Sequence, residues 1–186
     1  MSHQRVQELN STFTEVLRLC PELVFIGDKV LREKTIDISL DEGLAIGSQL
    51  KDVLKKYREI AGFGRGLAAP QIGIGKSVFV TFVNDQFKIY INPVVSNPST
   101  KHSLYRESCL SCGYLSVDVR RSESIEISYL NEEGVQMSEP AGGFLARLLQ
   151  HEYDHLQGVV NVDCAEPQSI EFMVNDPLQE KLRECL

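Results

Sequence analysis

His151-Glu152-Tyr153-Asp154-His155-Leu156-Gln157-Gly158 closes an apolar-periodic stretch that begins near Gly143. The spacing predicts a helix over 143–156, with Gly158 placed to cap its end. Four residues at ~100° each turn through ~400°, so the two imidazoles leave the helix in nearly the same direction, one turn apart. Two nitrogen donors then face one metal ion. Glu152 sits beside them, able to take a proton from water at that ion. A helix whose histidines merely meet solvent would carry the same five residues.

Outward from this helix, the chain shows no internal repeat, low-complexity tract or long linker, so residues 1–186 are expected to form a single domain. The first strong helix is predicted over Leu40–Ile60, where Ser39 and Glu42 have capping-box spacing and Leu44, Leu50, Val53, Leu54 and Tyr57 recur at helical intervals. Gly62, Gly64 and Gly66 then break it. Strands are predicted at Ser77–Val83 and at Phe87–Ile91, the latter ended by Asn92-Pro93. Ile125–Leu130 and Val135–Met137 flank a hairpin turn at 131–134. Helices and strands without regular βαβ alternation imply an α+β fold, antiparallel strands packed around the central metal-binding helix.

Composition excludes several classes. With 42% hydrophobic and 24% charged residues, the chain has the make-up of a globular protein, and no stretch approaches the ~20 apolar residues of a membrane span. A net charge of −7 gives no general attraction to nucleic acid. Glu8 and Glu15 lie where a transit peptide would be basic and acid-poor, and no apolar signal core follows the polar Met1–Asn10. Five cysteines, an odd number, then fit a reducing cytoplasm better than a disulfide scaffold.

A catalytic site of this kind generally needs a third protein ligand and an open position. The extended pattern H-E-x-x-H-x-x-G-x-x-H would place it at residue 161, which is Asn161. Glu166 and Glu171 are downstream candidates, but nothing in their setting marks either one. The better candidate is Cys109, in Glu107-Ser108-Cys109-Leu110-Ser111, since a thiolate is a strong ligand for a borderline-soft ion. Cys20, Cys164 and Cys185 read as small buried thiols. Cys109 and Cys112 form Cys-x-x-Cys, which also suits a redox pair, although no thioredoxin-like context surrounds it.

A third segment, Gly64-Arg65-Gly66-Leu67-Ala68-Ala69-Pro70-Gln71, leaves backbone groups open to close approach and offers the Gln71 amide as a donor. Its glycine spacing does not suit a dinucleotide, and no Lys-Ser/Thr follows as in a phosphate loop. Alone it could be an ordinary turn between helix and strand.

Taken in order, Gly64–Gln71, Glu107–Ser111 and His151–Gly158 resemble the three signature motifs of peptide deformylases, written GφGφAAxQ, EGCφS and HExxH. The likeness covers the chain from about Val30 through Val162. It implies that Cys109, His151 and His155 hold one divalent ion, usually Fe(II) in cells, with Zn, Ni or Co able to occupy such sites. It implies that Glu152 moves the proton while Gln71 and the Leu110 N–H stabilise the formyl oxygen. The implied substrates are N-formylmethionyl nascent peptides. Gly66 matches a glycine whose backbone approaches the peptide, and Phe144 and Leu148, on the stripe of His151, would line a methionine pocket or else pack in the core. Glu107 and Arg121 match positions of a pair that orients a ligand histidine.

Departures fall on the peptide side. Arg65 stands where an apolar residue would face the substrate, Ser108 replaces glycine, Cys112-Gly113 replaces Val-Pro, and an arginine expected near Ser116 is absent in register, with Arg120 and Arg121 close by. The tail, 172–186, gives no clear basic helix for docking to the ribosome. Two alternatives remain open at this level: a small H-E-x-x-H peptidase with a downstream Glu as ligand, and a relative that binds metal or peptide without turnover.

Overall fold

In Val78-Phe79-Val80 of strand β2 (Val78–Val83), side chains alternate between two apolar layers. Val78 and Val80 pack with Leu50, Val53 and Leu54 of helix α2 (Leu40–Ala61), and Phe79 packs on the other side with Tyr90, Ile127 and Leu149. A strand covered on both faces reads as a continuous apolar run. The structure is a computed structural model and describes residues 3–172.

Its order is α1 (His3–Leu19), α2, β1 (Gly66–Ala68), β2, β3 (Gln86–Ser96), β4 (His102–Ser108), β5 (Leu115–Ser122), β6 (Ser124–Leu130), β7 (Gln136–Gly142), α3 (Gly143–Leu156) and β8 (Glu171–Phe172). One sheet runs β1-β2-β3-β6-β7 and the other β4-β5-β8. Every paired strand is antiparallel, and α3 lies against strands of both sheets, as the α+β expectation required. Ser39 caps α2, its hydroxyl accepting from the Glu42 N–H at 3.3 Å.

The end of α3 is a Schellman turn. Gly158 N–H donates to His155 O and Val159 N–H to Asp154 O, with Gly158 at φ +77°. A Cβ on Gly158 would also run into the Arg32 backbone, so both conformation and space demand glycine there.

Strand β3 does not stop at Asn92-Pro93. Asn92 enters the left-handed region (φ 49°) and the register to β6 shifts between Ile91 and Val94, so the pair forms a bulge that Pro93 can occupy without an N–H. The Asn92 side chain ties the bulge to Ile38, accepting from its N–H at 3.0 Å and donating to its carbonyl at 2.9 Å.

Sequence patterning missed α1, β1, β4, β5 and β8. Leu9 and Val16 of α1 are buried but stand among Ser, Thr and Asn, which weaken a helical signal. Strands β4 and β5 bury Arg106, Glu107, Asp118 and Arg121, so charge appears where alternation calls for apolar residues. Cys20 is buried as expected, but Cys164 is exposed, at the end of a surface 3-10 turn. Cys185 and the tail cations Lys181 and Arg183 lie outside the described residues. Among the described residues no helix is long and apolar enough to cross a membrane.

Candidate metal centre and substrate cleft

Three elements deliver the site. Cys109 follows β4 and opens a 3-10 turn, Leu110–Cys112. Gln71 lies in the 3-10 turn after β1, and His151, Glu152 and His155 line one side of α3. Cys109, His151 and His155 place their donor atoms within 4.8 Å of one another, with Cys109 Sγ 3.3 Å from His155 Nε2. Donors bound at ~2.0–2.3 Å to one tetrahedral ion stand about 3.3–3.6 Å apart, so the closest pair is near that spacing and the trio is compact enough to hold such an ion. His155 is fully buried and His151 nearly so, which removes the solvated-histidine alternative.

Glu107 fixes His151. Its Oε2 lies 3.0 Å from His151 Nδ1, which leaves Nε2 as the nitrogen free to meet an ion. Arg121 grips both carboxylate oxygens at 2.7 and 3.0 Å and reaches Asp154 at 2.8 Å. Burial alone would raise the Glu107 carboxyl, but the Arg121 charge and the His151 hydrogen bond outweigh it and hold the group well below its ordinary value.

Arg147, which sequence reasoning missed, joins the same cluster. It donates to Glu107 Oε1 at 2.6 Å, to Val119 O at 3.0 Å and to Ser103 at 2.8 and 3.0 Å, and lies over the Tyr105 ring. Its place one turn before His151 was the available signal.

Glu152 has an unpartnered buried oxygen, Oε2, and His155 an unpartnered Nδ1. Burial raises the Glu152 carboxyl to about 7, against the pull of His151 and Arg121. Burial likewise pushes the Cys109 thiol up and the His155 imidazole down, toward the neutral form that can coordinate an ion. The carboxyl group packs against Gly66, where any Cβ would collide with it. Gln71 Oε1 accepts from the Ala68 N–H at 2.8 Å, which turns Nε2 toward Cys109 Sγ at 3.5 Å and Ser111 Oγ at 3.3 Å.

Above these groups opens a cleft. Gly64, Arg65, Gly66, Gln71, Ser108, Leu110, Phe144, Leu148, His151 and Glu152 all line it, while Cys109 and His155 lie beneath. Phe144 is 41% exposed at the cleft, which decides against simple core packing for that residue. Of the arginines near Ser116, Arg120 is ion-paired with Glu166 and Arg121 belongs to the Glu107 cluster; Arg106 lines the cleft instead. Glu166 and Glu171, the downstream ligand candidates, pair with Arg120 and Arg106 and stand outside the Cys-His-His group. The peptidase alternative therefore lacks its third ligand.

Sulfur with imidazole suits a borderline divalent ion, and a carboxyl group set against such a trio is the arrangement of metal-dependent hydrolases. The family is narrower still. Residues 21–171 match the polypeptide deformylase family, and the chain belongs to it. The peptide deformylase of Pseudothermotoga lettingae is 36% identical over 159 residues, 86% of this chain and 90% of that one. Among solved structures, a peptide deformylase from Thermotoga maritima is 33% identical with a TM-score of 0.70, covering 78% of this chain and 97% of its own. Another, from Synechococcus elongatus in complex with actinonin, is 37% identical with a TM-score of 0.70, over 78% of this chain and 79% of that one.

Proposed function

We propose that this chain, as one domain over 1–186, hydrolyses the formyl group from N-formylmethionyl polypeptides, giving formate and a free amino-terminal methionine. The observation that carries this is the meeting of Cys109, His151 and His155 beside the unpartnered Glu152 oxygen, in a member of the polypeptide deformylase family. Cys109, His151 and His155 would hold one divalent ion, with Fe(II) as the ion in cells and Zn, Ni or Co as substitutes. When bound, it supplies a Lewis acid that polarises a carbonyl and makes water easier to deprotonate.

The side chains account for the rest. Glu152 takes the proton of the attacking water and returns it to the departing amine. Gln71 Nε2 and the Leu110 N–H, which has no acceptor within its own short turn, donate to the formyl oxygen as charge develops there. Phe144 and Leu148 bound the methionine side chain, and Gly64, Arg65, Gly66 and Ser108 border the chain beyond it. A formyl carbon carries only hydrogen, so close walls exclude an acetyl group on size. Such substrates emerge from ribosomes, which makes the cytoplasm the setting and a transient ribosome contact part of this reading.

The test is to purify the protein anaerobically, then measure bound metal and formate release from formyl-Met-Ala-Ser on one sample. Formate in proportion to metal is expected, with no cleavage of the acetylated peptide. Stoichiometric metal without formate would overturn the proposal in favour of a binding protein.

A further inference from the structure

Arg65 is the cation of the cleft that lacks a counter-charge. Arg106 is ion-paired with Asp118 and Glu171, and Arg147 with Glu107. The Arg65 guanidinium has no hydrogen bond or ion pair among the described residues. It is half-buried within Phe63–Gly66, a run in which all four residues line the cleft.

Strand pairing gives its direction. Phe82 N–H donates to Arg65 O at 2.7 Å, so Arg65 and Phe82 form a hydrogen-bonded pair, and the next pair, Gly66 with Thr81, is of the other kind. Gly66 therefore turns its N–H and C=O away from β2, toward the free edge of β1, with Glu152 against its inner face. Successive side chains alternate, so Arg65 belongs to the opposite face, the one on which Leu67 packs toward α2.

We propose that Arg65 is a specificity-determining residue that reads a carboxylate on the substrate residue following methionine, in an extended chain laid along the free edge of β1. This rests on the deformylation reading, which puts the methionine side chain into the cleft on the Gly66 side. In an extended chain the next side chain then emerges on the Arg65 face, where cross-strand neighbours have Cβ atoms ~4.5–5.5 Å apart. The protein as a whole, at −7, repels acidic peptides, so selection for one depends on this local cation.

The test uses the metal-loaded enzyme and three C-terminally amidated peptides, formyl-Met-Asp-Ser, formyl-Met-Ala-Ser and formyl-Met-Lys-Ser. Each variant's own rate on the Ala peptide is its reference. Wild type is expected to favour Asp over Ala by roughly two- to fivefold in kcat/KM, an effect carried by KM and lost at high salt. Arg65→Glu should shift the preference to the Lys peptide, and Arg65→Lys should keep part of the preference for Asp. If the variants do not fold, the salt dependence of the wild-type ratio decides. A wild-type ratio of one, or an Asp preference that survives in Arg65→Glu, overturns the assignment. Failure to release formate from all three peptides is a different result: it removes the deformylation reading, and this inference with it.

Discussion

Glu107 holds Arg121 Nε and Nη2, Arg147 Nη1 and His151 Nδ1 on its two oxygens, all in a buried setting. Replacing it by Gln leaves two guanidinium groups short of counter-charge, so Glu107→Gln should destabilise the fold by about 3–5 kcal/mol. Because His151 Nδ1 then faces a neutral amide in place of a carboxylate, metal affinity should fall ~10–100-fold. Denaturant midpoints and chelator competition measure the two effects separately. At the proposed reacting centre, Glu152→Gln should keep the metal and lower kcat by ~10²–10⁴-fold, whereas Cys109→Ala should lose metal. A full complement of metal in Cys109→Ala would end the ligand assignment. That His151, Glu152 and His155 share one side of α3 was legible, because residues at helical spacing leave a helix in similar directions. Arg147 was not, since one arginine on a helix looks the same whether solvent or a buried carboxylate receives it.

The 3-10 turn after β4 gives its own prediction. Cys112 N–H donates to Cys109 O at 3.0 Å, and such a turn holds its end Cα atoms within ~7 Å, close to the span of a disulfide. Peroxide treatment of the metal-free protein should therefore link Cys109 to Cys112, two thiols and one peroxide giving one disulfide and two waters. Thiol reductant should reverse it. Peptide mapping that finds both thiols free would refute this.

On the first sheet, Glu139 of β7 accepts from Tyr129 of β6 at 2.6 Å and from Lys88 of β3 at 3.0 and 2.9 Å. The Tyr129 hydrogen bond, opposed by burial and aided by Lys88, holds the carboxyl below its ordinary value of 4.5. A depressed pKa contributes stability that is present above 4.5 and lost as pH falls through the lowered value. Both charged side chains are more than a third exposed, so the effect is at most ~1 kcal/mol. Urea midpoints from neutral to acid pH should show Glu139→Gln losing less than wild type. The turn of this hairpin was readable from its residues, but β7 runs on to Gly142, past the expected end at Met137 and through Glu139 and Pro140.

At the scale of the whole molecule, the candidate centre is assembled across the seam between the two sheets. Cys109 comes from the β4 side, Gln71 from the β1 side, and the histidines from the helix between them. A bound ion should consequently act as a cross-link, stabilising the fold by ~2.7 kcal/mol at a hundredfold excess over its Kd. Chelation should lower the melting temperature of wild type and leave Cys109→Ala unmoved. The bounds of α2 and α3 were legible because periodicity reports on local burial; which strand joins which sheet depends on distant partners and was not. The fit of Glu152 against Gly66 joins α3 to the first sheet, with an evolutionary corollary. A lineage that gained alanine at 66 would displace the carboxylate, and one that shortened 152 to aspartate would withdraw it from the cleft. Neither single step preserves the contact, so these distant positions should be inherited as a pair, and drift at one should be purged for the sake of the other.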